Sequence, residues 1–170
     1  RDGTRSLLRG PQPLLVGHAS EADELDAAVA QVRTLRASGL SPGDIAVFGP
    51  TRKLLDRVEA ALDAAGQLSS RLSDDKPLSD DHVQLGTMHR AKGLEFKAVL
   101  LLGCSASALP AAWLLRRQSD PADREAVVEQ QRRLLYVAMT RARDELHVSW
   151  TGAPSPFLVP FTDSAPGTST

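Results

Sequence analysis

Residues able to bind a charged ligand are concentrated between positions 87 and 97 of this 170-residue chain. The segment holds one glycine and six polar or charged side chains, namely Thr87, His89, Arg90, Lys92, Gly93, Glu95 and Lys97. So many hydrogen-bonding groups cannot be buried without partners, and they must face water or a polar ligand. Thr87, Arg90 and Lys92 offer one hydroxyl and two cations to anionic oxygens, and Gly93 lets the backbone approach a ligand or take a positive φ. The Glu95 carboxylate suits a sugar hydroxyl or, alternatively, an ion pair with Arg90 or Lys97.

Two predicted strands flank this polar segment. Residues 83–86 alternate apolar and polar side chains, and residues 98–102 form a continuous apolar run typical of a strand buried on both faces. In open α/β sheets, ligands bind at the carboxyl ends of strands. Because the polar segment leaves the carboxyl end of the first strand, we expect phosphate to bind there.

Two segments carry a resemblance to a known family. Residues 87–96, TMHRAKGLEF, resemble motif V (T-x-H-x-x-K-G-L-E-F/W) of the UvrD/Rep-like superfamily 1 DNA helicases. Residues 132–146, RRLLYVAMTRARDEL, resemble motif VI of the same helicases, R-R-L-x-Y-V-A-x-T-R-A-x-x-x-L. Two long motifs in the expected order are a specific signal, and the resemblance covers roughly residues 14–158. The short stretch at 67–81 leaves no room for the large inserted helical domain of many relatives, so the chain resembles the compact branch.

The resemblance implies the second RecA-like domain of a two-domain helicase motor, a P-loop NTPase-type α/β fold of three layers with a mostly parallel sheet. ATP lies between the two domains of such a motor. By motif position, Arg141 is the expected catalytic residue, an arginine finger that stabilises the γ-phosphate as it leaves. Gly93, Glu95 and Arg141 are the expected nucleotide-binding residues, with Glu95 facing the ribose or the phosphate side of the cleft.

The same resemblance implies a track for single-stranded DNA. By motif position, Thr87 and His89 contact the DNA backbone, with a neutral His acting as a hydrogen-bond donor. Lys92 either contacts phosphate or holds the turn. Thr51 matches the Thr of the family's I-A-V-L-x-R-T motif, but Pro50 stands where that motif has Arg. Thr51 is therefore either a DNA contact or a helix cap.

The remaining pattern alternates strands and helices. Strands are predicted at 14–16, 45–48 and 145–150, the last as an edge or half-buried strand, and helices at 20–39, 51–66 and 120–142. Residues 67–81 are predicted to be a connector, and residues 113–115 to pack, with Arg116 and Arg117 exposed. The predicted domain runs from 14 to 158, between a leading segment at 1–13 and a disordered tail at 159–170.

Composition bounds the function only loosely. The 20 basic and 21 acidic residues give a net charge of −1, so any nucleic-acid site must be a local patch. The single cysteine, Cys104, is expected to be a small buried residue. No apolar run approaches the length that spans a bilayer and no signal-peptide pattern is present, so we expect a cytoplasmic protein without a membrane partner.

Several parts of a complete motor have no counterpart in this sequence. The chain carries no G-x-x-x-x-G-K-[ST] phosphate loop, no paired acids placed to hold Mg²⁺, and no Q-x-x-R motif ahead of residue 14. It also begins without Met, which indicates a fragment. We expect ATP and Mg²⁺ to be bound mainly by a first RecA-like domain of the same parent chain, and no metal site here. The chain alone is expected neither to hydrolyse ATP nor to unwind DNA.

The leading hypothesis is the C-terminal motor domain of an ATP-dependent superfamily 1 DNA helicase or translocase acting in DNA repair or replication. Its expected partners are the first RecA-like domain and single-stranded DNA. One alternative is a helicase-like ATPase that remodels a protein complex such as RNA polymerase without separating strands. Another is a degenerate structural domain, against which the charged residues at 92–95 and 140–141 argue, because packing does not require them.

Overall fold

A six-stranded sheet forms the centre of the fold in the structure, a computed structural model that describes residues 10–162. The strands are β1 (Leu14–His18), β2 (Ile45–Gly49), β3 (Ser69–Arg71), β4 (Val83–Thr87), β5 (Phe96–Leu101) and β6 (Ala142–Thr151). The helices are α1 (Glu21–Ala37), α2 (Arg52–Ala64), α3 (Ala112–Arg116), α4 (Pro121–Met139) and α5 (Val159–Thr162). The strand order is β1-β6-β5-β2-β4-β3, and every neighbouring pair is parallel.

Helices cover both faces of the sheet. In β2, Ile45 and Val47 belong to a buried cluster with residues of α1 and α2, whereas Ala46 and Phe48 belong to a second cluster with residues of α4. This alternation follows from the two-residue period of a strand, which sends successive side chains to opposite faces. The arrangement confirms the predicted α/β fold of three layers around a parallel sheet.

Helix caps confirm three of the predicted helix starts. The side-chain oxygens of Ser20, Thr51 and Asp120 each accept a hydrogen bond from a backbone N–H in the first turn of α1, α2 and α4, at 3.1, 3.2 and 2.9 Å. Such caps satisfy N–H groups that have no partner within the helix. Thr51 is therefore a helix cap.

Because all six strands are parallel, every strand begins at one end of the sheet, here called the amino end, and finishes at the other, the carboxyl end. Residues 88–95 connect the carboxyl end of β4 to the amino end of β5. A short 3₁₀ turn, Met88–Arg90, starts this connection, and Met88 and Ala91 are buried in the cluster that includes α4. The connection therefore crosses the α4 face of the sheet and carries the chain from one end to the other.

Two predicted boundaries need correction at the margins of the domain. The predicted connector contains β3, which adds to the sheet beside β4 with Ser69 opposite Val83 and Arg71 opposite Leu85. The tail predicted from residue 159 begins instead with α5. There the Phe161 ring is buried and packs edge-on against the Tyr136 ring, with 5.6 Å between the ring centroids. Residues 163–170 of that predicted tail, and residues 1–9 of the leading segment, lie outside the described residues.

Other differences lie around β6 and α3. The predicted helix 120–142 ends at Met139, because Ala142 already pairs with Phe96 of β5. Of the two alternatives for β6, an edge strand or a half-buried strand, the second is confirmed, because β1 pairs along its other side. Trp113, which was expected to pack, is 52% exposed, whereas Arg116 and Arg117 are exposed as predicted.

Candidate functional sites at the two ends of the sheet

Arg141 lies at the amino end of the sheet, between the last turn of α4 and the start of β6. Its backbone carbonyl accepts a hydrogen bond from the N–H of Phe96 at 2.9 Å, which joins it to the start of β5. Its half-buried guanidinium donates from Nε to the carbonyl of Val137 at 3.2 Å, from Nη1 to the carbonyl of Leu94 at 3.4 Å and from Nη2 to Oγ1 of Thr140 at 3.1 Å. The side chain is therefore held by three acceptors on two segments of the chain, the end of α4 and the segment before β5.

The groups that hold Arg141 carry no charge. Within residues 10–162, no carboxylate forms an ion pair with it, whereas Arg90 is paired with Asp74 at 3.0 Å and Arg143 with Asp144 at 3.4 Å. A guanidinium has five N–H donors, and three hydrogen bonds leave one N–H on each terminal nitrogen. Arg141 is thus an oriented cation with donors left over for an anionic ligand.

Gly93 and Glu95 flank Leu94, whose carbonyl accepts the hydrogen bond from Arg141, in the segment that leads into β5. Gly93 has a φ of 79°, and no atom lies within 4 Å of where a Cβ would stand. Its role is therefore to allow a left-handed turn, and the space beside it is open. Glu95 is exposed and forms no ion pair within the described residues, because Arg90 pairs with Asp74 and Lys97 pairs with Asp44 at 3.6 Å. The alternative that Glu95 pairs with either cation is wrong.

A polar cleft of about 870 Å³ opens at the carboxyl end of the sheet. It is lined by Pro50, Thr51, Arg52, Asp74, Thr87, His89, Arg90, Lys92 and Trp113. The four residues predicted to contact DNA all line it, which brings them together although Thr51 is distant in sequence from the others. The reason is the sheet register, which places Gly49 of β2 opposite Thr87 of β4.

Cations dominate the charge of this cleft. Arg52, Arg90 and Lys92 are all exposed, and the one carboxylate among the lining residues, Asp74, is paired with Arg90. Lys92 and Arg52 form no ion pair within residues 10–162. A positive groove of this kind attracts a phosphate backbone.

A second, more apolar cavity of about 540 Å³ adjoins the polar cleft. Its lining includes Met88, Leu109, Leu114 and Leu134, and it shares Pro50, Thr51, His89 and Trp113 with the cleft. The sequence predicted no ligand contact for Trp113, which was expected to pack, or for Arg52. Arg52 could have been noticed, because it follows the Thr51 cap and lies two residues after the Pro50 that replaces the motif's Arg.

The segment 87–95, which was predicted to leave the carboxyl end of a strand as one piece, reaches both ends of the sheet. Thr87, His89 and Lys92 lie at the carboxyl end, whereas Glu95 lies at the amino end beside Arg141. The expectation that the whole segment follows the carboxyl end of its strand is therefore wrong for Glu95. The cause is the short connection described above, which crosses the sheet within eight residues.

A buried carboxylate that the sequence analysis missed ties α1 to the carboxyl ends of β5 and β6. Glu24 is 3% exposed, and its oxygens accept hydrogen bonds from the N–H of Gly103 at 2.9 Å, from Ser149 Oγ at 2.6 Å and from Thr151 Oγ1 at 3.0 Å. Burial raises the pKa of the nearby Cys104 thiol well above its usual range, and the Glu24 charge adds to the shift. The prediction that Cys104 is a small buried residue is confirmed, and Glu24 is a structural group.

Residues 10–162 contain neither a metal-binding cluster nor a helix that could span a membrane. No group of three or more His, Cys, Asp or Glu side chains comes close enough together to bind a metal ion. None of the helices there has the length and apolar character needed to cross a lipid bilayer.

A solved protein domain has the same fold as this chain. The C-terminal domain of a possible DNA helicase from Lactobacillus plantarum superposes on 94% of this chain and 88% of its own, with a TM-score of 0.64 and 22% sequence identity. At that level of identity, the likeness shows the fold alone.

Curated relatives match the chain over shorter stretches. The ATP-dependent DNA helicase UvrD2 of Mycobacterium tuberculosis is 45% identical over 76 residues, which are 44% of this chain and 10% of the relative. The ATP-dependent DNA helicase PcrA of Bacillus subtilis is 41% identical over 69 residues, 41% of this chain and 8% of that protein. The matched segments thus span about a tenth of these relatives. The family model of the UvrD-like helicase C-terminal domain matches residues 20–153, and the chain belongs to that family.

Proposed function

We propose that this chain is the second motor domain of an ATP-dependent superfamily 1 DNA helicase or translocase. In this proposal Arg141 is the arginine finger, and the polar cleft is part of the track for single-stranded DNA. The observation that carries the proposal is the state of Arg141, an oriented guanidinium with uncharged partners and two N–H groups left over.

Phosphoryl transfer spreads negative charge over the leaving γ-phosphoryl oxygens, and a cation already fixed in place stabilises that charge without reorganising. The carbonyls of Leu94 and Val137 fix Arg141 in this way without neutralising it. The exposed Glu95 carboxylate is available to accept a hydrogen bond from the ribose, and the open space beside Gly93 leaves room for the nucleotide.

ATP and Mg²⁺ are assigned mainly to a first RecA-like domain of the parent chain, since this sequence has no phosphate loop. When bound, Mg²⁺ adds positive charge at the phosphates. The described residues hold no carboxylate cluster suited to that ion, so no magnesium ligand is assigned to this chain.

The DNA track is supported by the content of the polar cleft. Thr51 and Thr87 bring hydroxyls, His89 brings a ring N–H, and Lys92 brings an unpaired cation to one surface. Phosphate and sugar oxygens accept from all of these groups whatever the base sequence. Binding through them is therefore expected to be independent of sequence and sensitive to salt.

The test of the arginine finger uses the full-length parent and variants of two neighbouring arginines. Arg141→Ala is expected to leave ATP binding nearly intact and to cut DNA-stimulated turnover by on the order of 10³. Arg143→Ala is the matched control, because Arg143 lies two residues further on, is exposed and is paired with Asp144. Equal turnover by the two variants would remove Arg141 from the catalytic role.

A second test uses the 170-residue chain by itself. It is expected to show no ATP turnover with or without single-stranded DNA, because an arginine finger cannot act on a triphosphate that nothing holds. Steady ATP hydrolysis that copurifies with the chain, and is lost in Arg141→Ala, would show that the chain binds ATP productively on its own. That result would contradict the assignment of ATP to another domain.

A further inference from the structure

We infer that Trp113 is a stacking platform for one base of a single-stranded nucleic acid lying in the polar cleft. The inference rests on the proposed function, because it takes the cleft to be part of a nucleic-acid track. Trp113, on α3, would contact a base, whereas the residues proposed for the track contact the phosphate and sugar.

Trp113 is exposed in a way that packing does not explain. Its side chain is 52% exposed, on the five-residue helix α3, whereas the other tryptophan, Trp150, is half-buried and packs against the α4-side core. Leu114 and Leu115, its neighbours on α3, are half-buried and suffice to hold the helix against the domain. A large ring left in water on such a short helix favours a contact with a ligand.

The position of Trp113 separates two different environments. On one side is the polar cleft with Arg52, Lys92 and Thr87, and on the other is the cavity that includes Leu109 and Leu134. A nucleotide has the same division, since its phosphate is anionic and its base presents flat apolar faces. A base stacked on Trp113 would enter the apolar cavity while its phosphate stays beside the cations.

The charge around the ring supports a nucleic-acid occupant over an apolar protein segment. The guanidinium carbon of Arg117 lies 5.9 Å from the centroid of the Trp113 ring, and Lys92 and Arg52 line the cleft beside it. Asp74 is the only acid among the residues lining the two cavities, and it is paired with Arg90. Such a surface is complementary to a phosphate backbone, whereas a purely apolar partner would leave these cations without a group of opposite charge.

The test uses the chain with a Trp150→Phe background, so that Trp113 is the only tryptophan and its fluorescence reports its own surroundings. Two probes of roughly fifteen nucleotides are compared at low salt, an oligothymidylate and an abasic strand of equal length and charge. The oligothymidylate is expected to quench Trp113 fluorescence and to bind roughly tenfold more tightly than the abasic strand.

Substitutions then separate stacking from attraction to phosphate. Trp113→Leu keeps an apolar side chain without a ring, and is expected to bind both strands with the weaker affinity of the abasic probe, measured by anisotropy of labelled strands. Trp113→Phe should recover part of the preference for the oligothymidylate. Leu68→Ala is the control, because Leu68 is 60% exposed and lines neither cavity.

The two proposals fail in different ways. The stacking role would be overturned if the Trp150→Phe chain bound the oligothymidylate and the abasic strand equally well, or if Trp113→Leu kept the preference for the oligothymidylate. Either result would still leave a track for phosphate. Absence of binding to either strand at low salt would overturn the track itself, and the stacking role with it.

Discussion

The two ends of the same sheet handle their charged side chains in opposite ways. At the amino end, Arg141 is half-buried and held by three uncharged acceptors on two segments of the chain. At the carboxyl end, Lys92 and His89 are exposed in a wide cleft. A fixed cation suits a ligand whose charge develops at one point, whereas exposed polar and cationic side chains suit a polymer that must slide past. One fold thus presents one rigid and one adaptable surface.

The largest effect is expected from a substitution that keeps the charge at the amino end but loses its geometry. Arg141→Lys retains a cation, yet a lysine ammonium cannot reproduce the planar fork that reaches Val137, Leu94 and Thr140 together. In the full-length parent, turnover at saturating ATP and DNA should fall by on the order of 10². Affinity for single-stranded DNA should stay unchanged. A fully active Lys variant would mean that charge alone suffices and that this end of the sheet is not rigid in function.

Part of the carboxyl end is expected to be rigid, because the buried Glu24 carboxylate holds it beside the ends of β5 and β6. Glu24→Ala would leave the partly buried N–H of Gly103 and hydroxyl of Ser149 without this acceptor. The free energy of unfolding should fall by about 2–3 kcal/mol, measured by urea denaturation of the chain.

The matched control lies on the same helix. Glu21→Ala removes an exposed carboxylate paired with Arg57 at 2.6 Å, and should cost less than about 1 kcal/mol. Similar losses in the two variants would show that Glu24 is no more than another surface acid of α1.

Sequence patterns sufficed for the parts of this fold that depend on neighbouring residues. The alternation in β4, the apolar run of β5 and the caps at Ser20 and Asp120 are local signals, and the structure confirms them. The resemblance in motifs V and VI is likewise carried by continuous segments, and the family match confirms it.

Features that depend on distant parts of the chain were not predicted. The partners of Glu24 lie 79, 125 and 127 residues away, so its burial could be suspected only from its spacing with Ala28 and Val32 on the apolar side of α1. The division between Thr87 and Glu95 depends on which end of the sheet each reaches. The exposure of Trp113 depends on two cavities formed by several elements. The roles of these residues toward ligands stay predictions.

A smaller effect is expected from a single cation of the adaptable end. Lys92→Ala removes one unpaired charge from the polar cleft, so the affinity for single-stranded DNA should fall moderately. The slope of log affinity against log salt should become shallower by about 0.7, the contribution of one phosphate contact on a single strand. Lys97→Ala is the control, because Lys97 belongs to β5 and pairs with Asp44. An unchanged salt slope in Lys92→Ala would show that Lys92 only holds the turn.

The smallest effect concerns Gly93, which lies where the connection between the two ends turns toward β5. A φ of 79° is costly for a residue with a Cβ, but nothing in the structure stands in the way of the added atom. Gly93→Ala should therefore lower the free energy of unfolding by only about 1 kcal/mol, from backbone strain alone. Gly93→Asn should cost less, since Asn adopts left-handed backbone more readily. Equal losses in the Ala and Asn variants would point to the added side chain and not to the backbone. If Gly93→Ala also weakened ATP binding to the folded full-length parent, the open space beside Gly93 would be occupied by the nucleotide.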